Sequence, residues 1–449
     1  MDSMEEKGEF FLEKQIEFLE NENKQLRDKL DSKRYHMIDK VVDTSYRFVP
    51  QVLRKTKKKV SKRNIDSNRE FIKGRVDIVN HNFYDWDGKV VFKGGAERYV
   101  YDLAVLLKEL GYKPRLIQGA NDGFEKTYRG VPIIGLKATP GDYRNLSKLY
   151  NVFCGDSEFV IASPTELASE LTNVPCIAIN HGINFDGPWT NADSIPLGQY
   201  SIYTDALKNV ISCICVDTNF INWMRTKDYK LSSKLIYIPN YYDKNSFKPR
   251  KEKKSSKKTV FVYPRRIYEP RGYDITIKAF RNILKDNKNI ELRFIGQIDN
   301  DTARKDIENI LNDYPKNVFH NEYTMEEAYK AYDGADIVLV PTRYSEGTSL
   351  SCIEAQALGI PVIATNIGGL PNIVIDHFNG LLISPTAESL EIAVRELLDN
   401  PKMCDEMRKH SIEVAKSSFE KTMWDKRWKI AIEEFLRKAD SDDNEEEDE

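Results

Sequence analysis

The stretch IVLVPTRYSEGTSLSCIEAQALGIPVIATN, residues 337–366, has the pattern of a strand, a loop, a helix and a second strand. Its two apolar runs are short and rich in β-branched residues, as buried strands are. The run between them consists mainly of good helix formers. Two strands joined by a helical crossover lie parallel in one sheet, and ligands bind such sheets at the carboxyl ends of the strands.

The start of this helix is a candidate anion site. Gly347, Thr348, Ser349 and Leu350 lie where the helix begins, and the first three are small enough to let a ligand approach the backbone. The amide groups of a first helical turn have no partner within the helix, and the helix dipole favours negative charge there. A phosphate group fits such a position.

Two carboxylates flank this helix start. Glu346 lies on the loop and Glu354 lies within the helix, roughly 8–10 Å apart by helical rise. At that spacing they could accept hydrogen bonds from hydroxyl groups at the two ends of one ligand. The alternative is a pair of unrelated surface carboxylates.

Short apolar strands alternate with helical segments on both sides of this unit. RVDIVNHNF (75–83) is typical of a strand, and KGGAERYVYDLAVLLKELGYKP (93–114) of a glycine turn followed by a helix. After the charged segment PRKEKKSSKKT (249–259), the alternation begins again. This predicts an α/β fold with two doubly wound Rossmann-like domains and a cleft between them.

Seven segments follow from these patterns. They are a coiled-coil helix (1–38), a basic linker (39–74), an N-terminal Rossmann-like domain (75–248), a linker (249–258), a C-terminal Rossmann-like domain (259–425), a C-terminal helix (426–438) and a disordered acidic tail (439–449). The tail ends in DSDDNEEEDE, with eight acidic residues, and we expect it to be solvated.

The N-terminal segment carries a heptad pattern. Its seam residues alternate in spacing by four and three, and they are Leu12, Ile16, Leu19, Asn23, Leu26 and Leu30. An asparagine at an a position favours a parallel dimer, so we expect a homodimer. The alternative is an amphipathic helix that packs on its own globular domain.

The segment RKTKKKVSKR (54–63) holds seven basic residues in ten. Two interpretations remain open: a solvated linker, or peripheral contact with anionic lipid headgroups. We expect no nucleic-acid partner, because no aromatic residues interleave the basic ones. The six cysteines lack metal-site spacing, and no apolar run is long enough for a membrane span. We expect a cytoplasmic protein, with any contact at the inner membrane face being peripheral.

Cations that could balance a phosphate lie on the loop after another strand. VYPRRIYEPRGYD (262–274) leaves its strand at Pro264 and then presents Arg265, Arg266 and Arg271. Guanidinium groups form paired hydrogen bonds with phosphate oxygens. The alternative is a basic surface loop.

Five stretches together resemble the retaining GT-B glycosyltransferases of family 4, and the resemblance spans roughly residues 76 to 425. They are KGGAERY, IPNYYD, YPRRIYEPRGYD, SEGTSLSCIEAQALGIPVIATNIGGLPNIV and NGLLI. The resemblance implies that Glu346 and Glu354 are the two glutamates of the EX7E motif, which contact the transferred sugar and the nucleotide ribose. It implies that Arg266 neutralises the donor diphosphate. Arg271 stands where the family usually has lysine.

The resemblance also implies that the N-terminal domain (75–248) takes the acceptor and that the C-terminal domain (259–425) takes the donor nucleotide. Gly94 and Gly95 match the glycine loop that approaches the donor phosphate, and His181 matches a histidine that faces the donor sugar. The alternatives are a simple turn and a hydrogen-bonded core histidine. Tyr241 occupies the position of the family's turn glycine.

The expected function is transfer of a sugar from a nucleotide-diphosphate sugar to a glycan or lipid-linked acceptor, in cell-surface polysaccharide synthesis. The resemblance implies retention of configuration, and the arginines make a metal ion unnecessary; no cofactor is expected. Two alternatives remain: a non-catalytic coiled-coil assembly protein on the same scaffold, and a nucleotide-sugar epimerase. A phosphorylase would need a cofactor lysine, for which the sequence has no signal.

Overall fold

The structure is a computed structural model, and it describes residues 72–92, 94–171, 174–183, 197–249, 258–344 and 346–447. The predicted coiled coil, almost all of the basic linker and most of the interdomain linker lie outside the described residues. Two α/β lobes follow each other along the described chain. No helix among the described residues combines the length and the apolar character needed to span a bilayer.

The first lobe contains an eight-stranded sheet in the order β3-β4-β2-β1-β5-β6-β7-β8. All neighbouring strands are parallel except β3, which runs antiparallel to β4. The strands are β1 (Ile72–Asn80), β2 (Lys113–Ala120), β3 (Phe124–Tyr128), β4 (Val131–Lys137), β5 (Ser157–Ser163), β6 (Cys176–Asn180), β7 (Ser212–Cys215) and β8 (Leu235–Tyr237). The first strand begins at Ile72, inside the segment expected to be linker.

Helices cover the faces of this sheet, as expected for a parallel sheet that is buried on both sides. They are α1 (Gly95–Glu109), α2 (Tyr143–Phe153), a 3₁₀ helix (Thr165–Glu170), α3 (Leu197–Asn209), α4 (Thr218–Lys227) and α5 (Tyr229–Ser232). Helix α1 buries Tyr99, Leu103 and Leu107 in the lobe's core, a spacing that places them on one helical face. Its N-terminal glycines thereby lie at the carboxyl edge of the sheet.

The second lobe contains a six-stranded parallel sheet in the order β11-β10-β9-β12-β13-β14. Its strands are β9 (Thr259–Tyr263), β10 (Ile290–Ile295), β11 (Val318–Asn321), β12 (Ile337–Val340), β13 (Val362–Thr365) and β14 (Gly380–Ile383). The strand order runs outward in both directions from the β9–β12 pair. The loops after these two strands therefore diverge to opposite faces and leave a crevice between them, the position where such sheets bind ligands.

The helices of the second lobe follow the same alternation. They are α6 (Tyr273–Asp286), α7 (Asp301–Asp313), α8 (Leu350–Ala357), α9 (Ala387–Asp399) and α10 (Pro401–Ser418), with 3₁₀ helices at Glu269–Arg271, Met325–Tyr332 and Leu370–Asn372. The quoted stretch of sequence is thus strand β12, a loop, helix α8 and strand β13, as predicted.

The last helix, α11 (Lys421–Glu447), returns to the first lobe. Trp424, Trp428 and Phe435 are buried in that lobe's core, and the Trp428 indole donates a hydrogen bond of 2.9 Å to the Tyr99 hydroxyl. The helix was expected at 426–438 with a disordered tail after it. Instead it begins earlier and its backbone continues to Glu447. Each residue added to an established helix gains one hydrogen bond without a new nucleation cost, and glutamate is a good helix former.

Candidate active site

Glu346 lies in the crevice between the loops after β9 and β12. Arg265 Nη2 lies 2.6 Å from Glu346 Oε2, and Arg271 Nη1 also pairs with this oxygen. The Thr342 hydroxyl donates a third hydrogen bond to the same oxygen, at 2.9 Å. The side chains of Glu346 and Arg265 are only 9% and 7% exposed, whereas Arg271 is half-buried at the edge of this charged cluster.

Glycines at tight approaches shape these two loops. Gly272 has φ 77°, and a Cβ there would lie 1.8 Å from the carbonyl oxygen of Pro341, so no other residue lets the arginine loop pack on β12. Gly368 has φ 54°, and its Cβ would lie 2.2 Å from the Glu346 carbonyl oxygen. The Gly369 amide donates to that oxygen at 2.7 Å. The loop after β13 therefore packs closely on the backbone of Glu346 and binds its carbonyl oxygen.

The charges around Glu346 keep it ionised. Burial alone would raise the pKa of the Glu346 carboxyl, but the guanidinium groups of Arg265 and Arg271 and the hydrogen bonds from Arg265 and Thr342 outweigh burial, and the pKa is lowered. The cluster thus holds one fixed negative charge beside two positive ones. The net positive charge suits an anionic ligand that approaches the arginines.

Arg265 has one buried hydrogen-bond donor that the cluster does not use. Its side chain is only 7% exposed, and Nη1 donates to the Thr342 hydroxyl at 2.6 Å. Its buried Nε has no hydrogen-bond partner among the residues that the structure describes. A buried N–H without a partner is costly, and a bound oxygen atom would satisfy it.

Arg266 lies apart from this cluster. Its side chain is 57% exposed, and Nη1 lies 3.6 Å from Asp299 Oδ1. Its guanidinium group stacks 4.8 Å from the centre of the Tyr268 ring. The structure therefore brings Arg265 and Arg271 to Glu346. Of the two arginines named from the resemblance, Arg271 lies in this cluster and Arg266 does not.

Glu354 lies at the boundary between the lobes. The Tyr332 hydroxyl donates to Oε2 at 2.9 Å, and Arg98 Nη1, from helix α1 of the first lobe, lies 3.2 Å from Oε1. Burial raises the pKa of the Glu354 carboxyl, while Arg98 and the Tyr332 hydrogen bond oppose the shift. Arg98 was not predicted from the sequence to be functional, since its partner Glu354 lies 256 positions away.

The start of helix α8 is held against the first lobe. The Asn240 amide donates to Thr348 Oγ1 at 2.9 Å, and this hydroxyl donates to the Val216 carbonyl at 2.9 Å. A Cβ on Gly347 would lie 2.8 Å from the His181 carbonyl oxygen. Ser349 is the N-cap residue of the helix but makes no side-chain capping bond. The small residues Gly347 and Thr348 thus allow the start of helix α8 to pack closely against the first lobe.

The glycine loop of the first lobe meets the same helix. A Cβ on Gly95 would lie 3.1 Å from Leu350 Cδ1, and one on Gly94 would lie 2.2 Å from Glu97 Oε2. Burial raises the pKa of the Glu97 carboxyl, and the nearby backbone amides of Glu97 and Gly94 oppose the rise. Glu97 was not identified from the sequence, although a glutamate three residues into a helix is typical of N-terminal capping.

His181 lies beside this junction. Its Nε2 is 2.9 Å from the Ser163 hydroxyl, and its ring meets that of Tyr99 edge-on at 5.4 Å. Burial lowers the pKa of His181 to about 4, so the imidazole is neutral at physiological pH. The Ser163 contact and the Tyr99 ring orient the histidine, whose backbone carbonyl lies against Gly347.

Comparison with known proteins finds glycosyltransferases. Residues 244–414 match the family model "Glycosyl transferases group 1". A D-inositol 3-phosphate glycosyltransferase of Mycobacteroides abscessus is 43% identical over 103 residues, which are 22% of this chain and 23% of that protein. An uncharacterized glycosyltransferase of Methanocaldococcus jannaschii is 26% identical over 225 residues, 49% of this chain and 55% of that protein. The matched stretches span less than two thirds of these relatives.

Solved structures match over both lobes. Sucrose-phosphate synthase of Thermosynechococcus elongatus superposes with a TM-score of 0.66 at 19% identity, covering 81% of this chain and 100% of that one. Anabaena HepE, solved with UDP, superposes with a TM-score of 0.62 at 13% identity, covering 80% and 100%. The predicted two-domain α/β architecture is thus confirmed: the described chain has the GT-B fold, and its second lobe carries the match to the group 1 glycosyl transferases.

Proposed function

We propose that the protein is a retaining glycosyltransferase that moves a hexosyl group from a nucleotide-diphosphate sugar to a hydroxyl of a glycan or lipid-linked acceptor. The observation that carries the proposal is the cluster of buried Glu346 and Arg265 with half-buried Arg271 at the carboxyl edge of the second sheet. It combines an ionised carboxylate with two guanidinium groups, one of which has an unpartnered buried N–H. That combination suits a sugar attached to a diphosphate.

The reaction requires charge stabilisation more than a protein base. The bond between the anomeric carbon and the phosphate oxygen breaks, and the acceptor oxygen bonds to that carbon on the same face. The acceptor proton passes to the departing phosphate oxygen. Arg265, Arg271 and the amide groups at the start of helix α8 would stabilise the phosphate charge that develops, in a crevice where water is excluded. No metal ion is needed for this step.

The other candidate residues have supporting roles in the proposal. The Glu346 carboxylate accepts hydrogen bonds from hydroxyls of the transferred sugar, and Glu354 accepts those of the ribose. Neutral His181 faces the sugar and offers a hydrogen bond without adding charge. Gly94 and Gly95 let the first lobe approach the donor phosphate. Arg266, at the crevice rim, contributes long-range attraction for the donor.

UDP-sugars are the donors to test first, because Anabaena HepE was solved with UDP and with UDP-glucose and shares this fold. We place the reaction in cell-surface polysaccharide synthesis on the cytoplasmic side of the membrane. The coiled-coil segment 1–38 would dimerise the enzyme, and the basic linker would attract anionic lipid headgroups. Chemical cross-linking and vesicle sedimentation of the full chain would test the last two proposals.

The donor can be identified by thermal unfolding in the presence of UDP, GDP, dTDP and ADP. A nucleotide at about 100 times its dissociation constant stabilises the fold by about 2.7 kcal/mol. A Glu346→Gln variant should lose transfer to acceptor by about 100-fold or more, because it removes a charge held beside the reacting sugar. No shift with any of the four nucleotides would contradict the proposal.

Glu391→Gln is a matched control for that variant. Glu391 lies in the same lobe and pairs with Arg395 on its own helix, away from the crevice. Its substitution should leave transfer unchanged. If Glu346→Gln also leaves transfer unchanged, the role assigned to Glu346 is wrong. If the unsubstituted chain binds partners but shows no transfer, the non-catalytic assembly protein is the better interpretation.

A further inference from the structure

Arg98 connects the two lobes. It lies one turn into helix α1, and its Nη1 reaches Glu354 Oε1 in the second lobe at 3.2 Å. Within the first lobe its Nε lies 4.0 Å from Asp102 Oδ2, and its guanidinium group lies 5.5 Å from the centre of the Tyr241 ring. The side chain is 22% exposed. Groups of the first lobe therefore hold the Arg98 guanidinium group in place, and this group pairs with the Glu354 carboxylate of the second lobe.

Tyr241 provides the platform under this arginine. It is 2% exposed, its hydroxyl donates to Asp102, and its ring lies 4.6 Å from that of Trp424. The buried ring supports the guanidinium group of Arg98 through a cation–π contact.

Glu354 is held on both of its oxygens. Arg98 binds Oε1, and the Tyr332 hydroxyl donates to Oε2 at 2.9 Å. An ionised carboxylate has about four lone-pair sites, so each oxygen keeps capacity for a further donor. Two neighbouring hydroxyls on one ring, as in a ribose, match two oxygens whose plane is fixed.

We propose that Arg98 is a positioning residue of the nucleotide site, which orients Glu354 toward the ribose hydroxyls and joins the two lobes in the arrangement that receives the donor. This inference rests on the proposed function for the ribose role. The Arg98–Glu354 contact itself is a property of the ligand-free protein, so it can be measured without a donor.

Removing Arg98 raises the pKa of the Glu354 carboxyl. The groups that face this carboxylate are Arg98 from helix α1 and Tyr332 from the 3₁₀ helix, with Asp102 and Tyr241 behind the arginine. Burial already raises the pKa of Glu354 and Arg98 opposes the rise. In an Arg98→Met variant the pKa is therefore higher. Nucleotide affinity then falls as pH decreases through that higher pKa, because a protonated carboxyl loses acceptor capacity.

The first experiment measures nucleotide binding by calorimetry between about pH 5 and about pH 8. The probe is whichever of UDP, GDP, dTDP and ADP binds the unsubstituted chain most tightly. Arg98→Met should weaken binding by about 10-fold or more at neutral pH, with the acid limb of the profile moved to higher pH. Arg98→Lys should restore part of the affinity and the original profile. Unchanged affinity and profile in Arg98→Met would overturn the proposal.

The second experiment measures the lobe contact without ligand. Unfolding equilibria of Arg98→Met, Glu354→Gln and the double variant form a cycle, and we expect a coupling of about fivefold or more in the equilibrium constant. Arg281→Met with Asp313→Ala, a pair within the second lobe, is the control cycle and should show weaker coupling. Additive effects at Arg98 and Glu354 would overturn the lobe-joining role. Binding of none of the four nucleotides by the unsubstituted chain would instead overturn the proposed function and the ribose role with it.

Discussion

Replacing Arg265 by lysine tests which arginine serves the diphosphate. Arg265 makes hydrogen bonds of 2.6 Å to both Thr342 and Glu346 and is 7% exposed. Lysine keeps the charge, but its single ammonium group lacks the several fixed N–H directions of a guanidinium group. It therefore cannot bind Thr342 and Glu346 and also contact the ligand. Loss of one hydrogen bond to a charged group costs about 2–3 kcal/mol, which corresponds to a fall in kcat/KM of about 30- to 150-fold.

Arg266→Lys is the matched comparison for this variant. Arg266 is the next residue along the chain, but it is 57% exposed and its contact with Asp299 is 3.6 Å long. Exposed ion pairs contribute about 0–1 kcal/mol, so kcat/KM should fall less than about fivefold. The assay is transfer from the donor identified by thermal shift, with unfolding of each variant measured to exclude loss of fold. An Arg266→Lys loss equal to or greater than that of Arg265→Lys would refute the assignment.

Three further predictions concern the scaffold. Gly368→Ala should destabilise the protein by more than Gly74→Ala. Both glycines have positive φ, but only a Cβ at Gly368 would meet a carbonyl oxygen, that of Glu346. Denaturant unfolding measures both losses in stability, and equal losses would contradict the prediction. His181 has a pKa of about 4, below its unfolded value, so its contribution to stability is complete above about pH 6.5 and decreases as pH falls toward about 4. In His181→Asn, the unfolding free energy should therefore depend less on pH between about 4 and about 6.5. An unchanged pH dependence would contradict this prediction. Trp428→Phe should cost about 1–3 kcal/mol of unfolding free energy, since it leaves a buried hydroxyl without its donor; a cost below about 0.5 kcal/mol would show that helix α11 does not depend on this contact.

Local periodicity was sufficient to predict both lobes. The strand–loop–helix–strand pattern of 337–366 recurs as β12, α8 and β13, and the restart of the pattern after residue 259 marks the second sheet. These elements are readable because apolar spacing follows the period of each structure. The C-terminal end of helix α11 could not be predicted from the sequence, since its acidic residues are compatible with both a solvated tail and a continued helix.

The pairings of the charged residues could not be predicted from the sequence. Arg98 and Glu354 are 256 positions apart, and no local pattern links them. Arg265 and Arg266 are adjacent and chemically identical, so only the direction in which the chain leaves β9 decides which one is buried. Glycines were informative in a general way, but the structure is needed to show that Gly272 and Gly368 pack against particular carbonyl oxygens.

The return of helix α11 to the first lobe has a consequence for synthesis of the chain. Its tryptophans fill a wall of that lobe, yet they emerge from the ribosome only after the whole second lobe. At about 5–20 residues per second, the nascent first lobe waits on the order of ten seconds or longer with this apolar wall uncovered. A chain shortened before Lys421 would never cover it, and we expect such a product to aggregate or to be retained by chaperones.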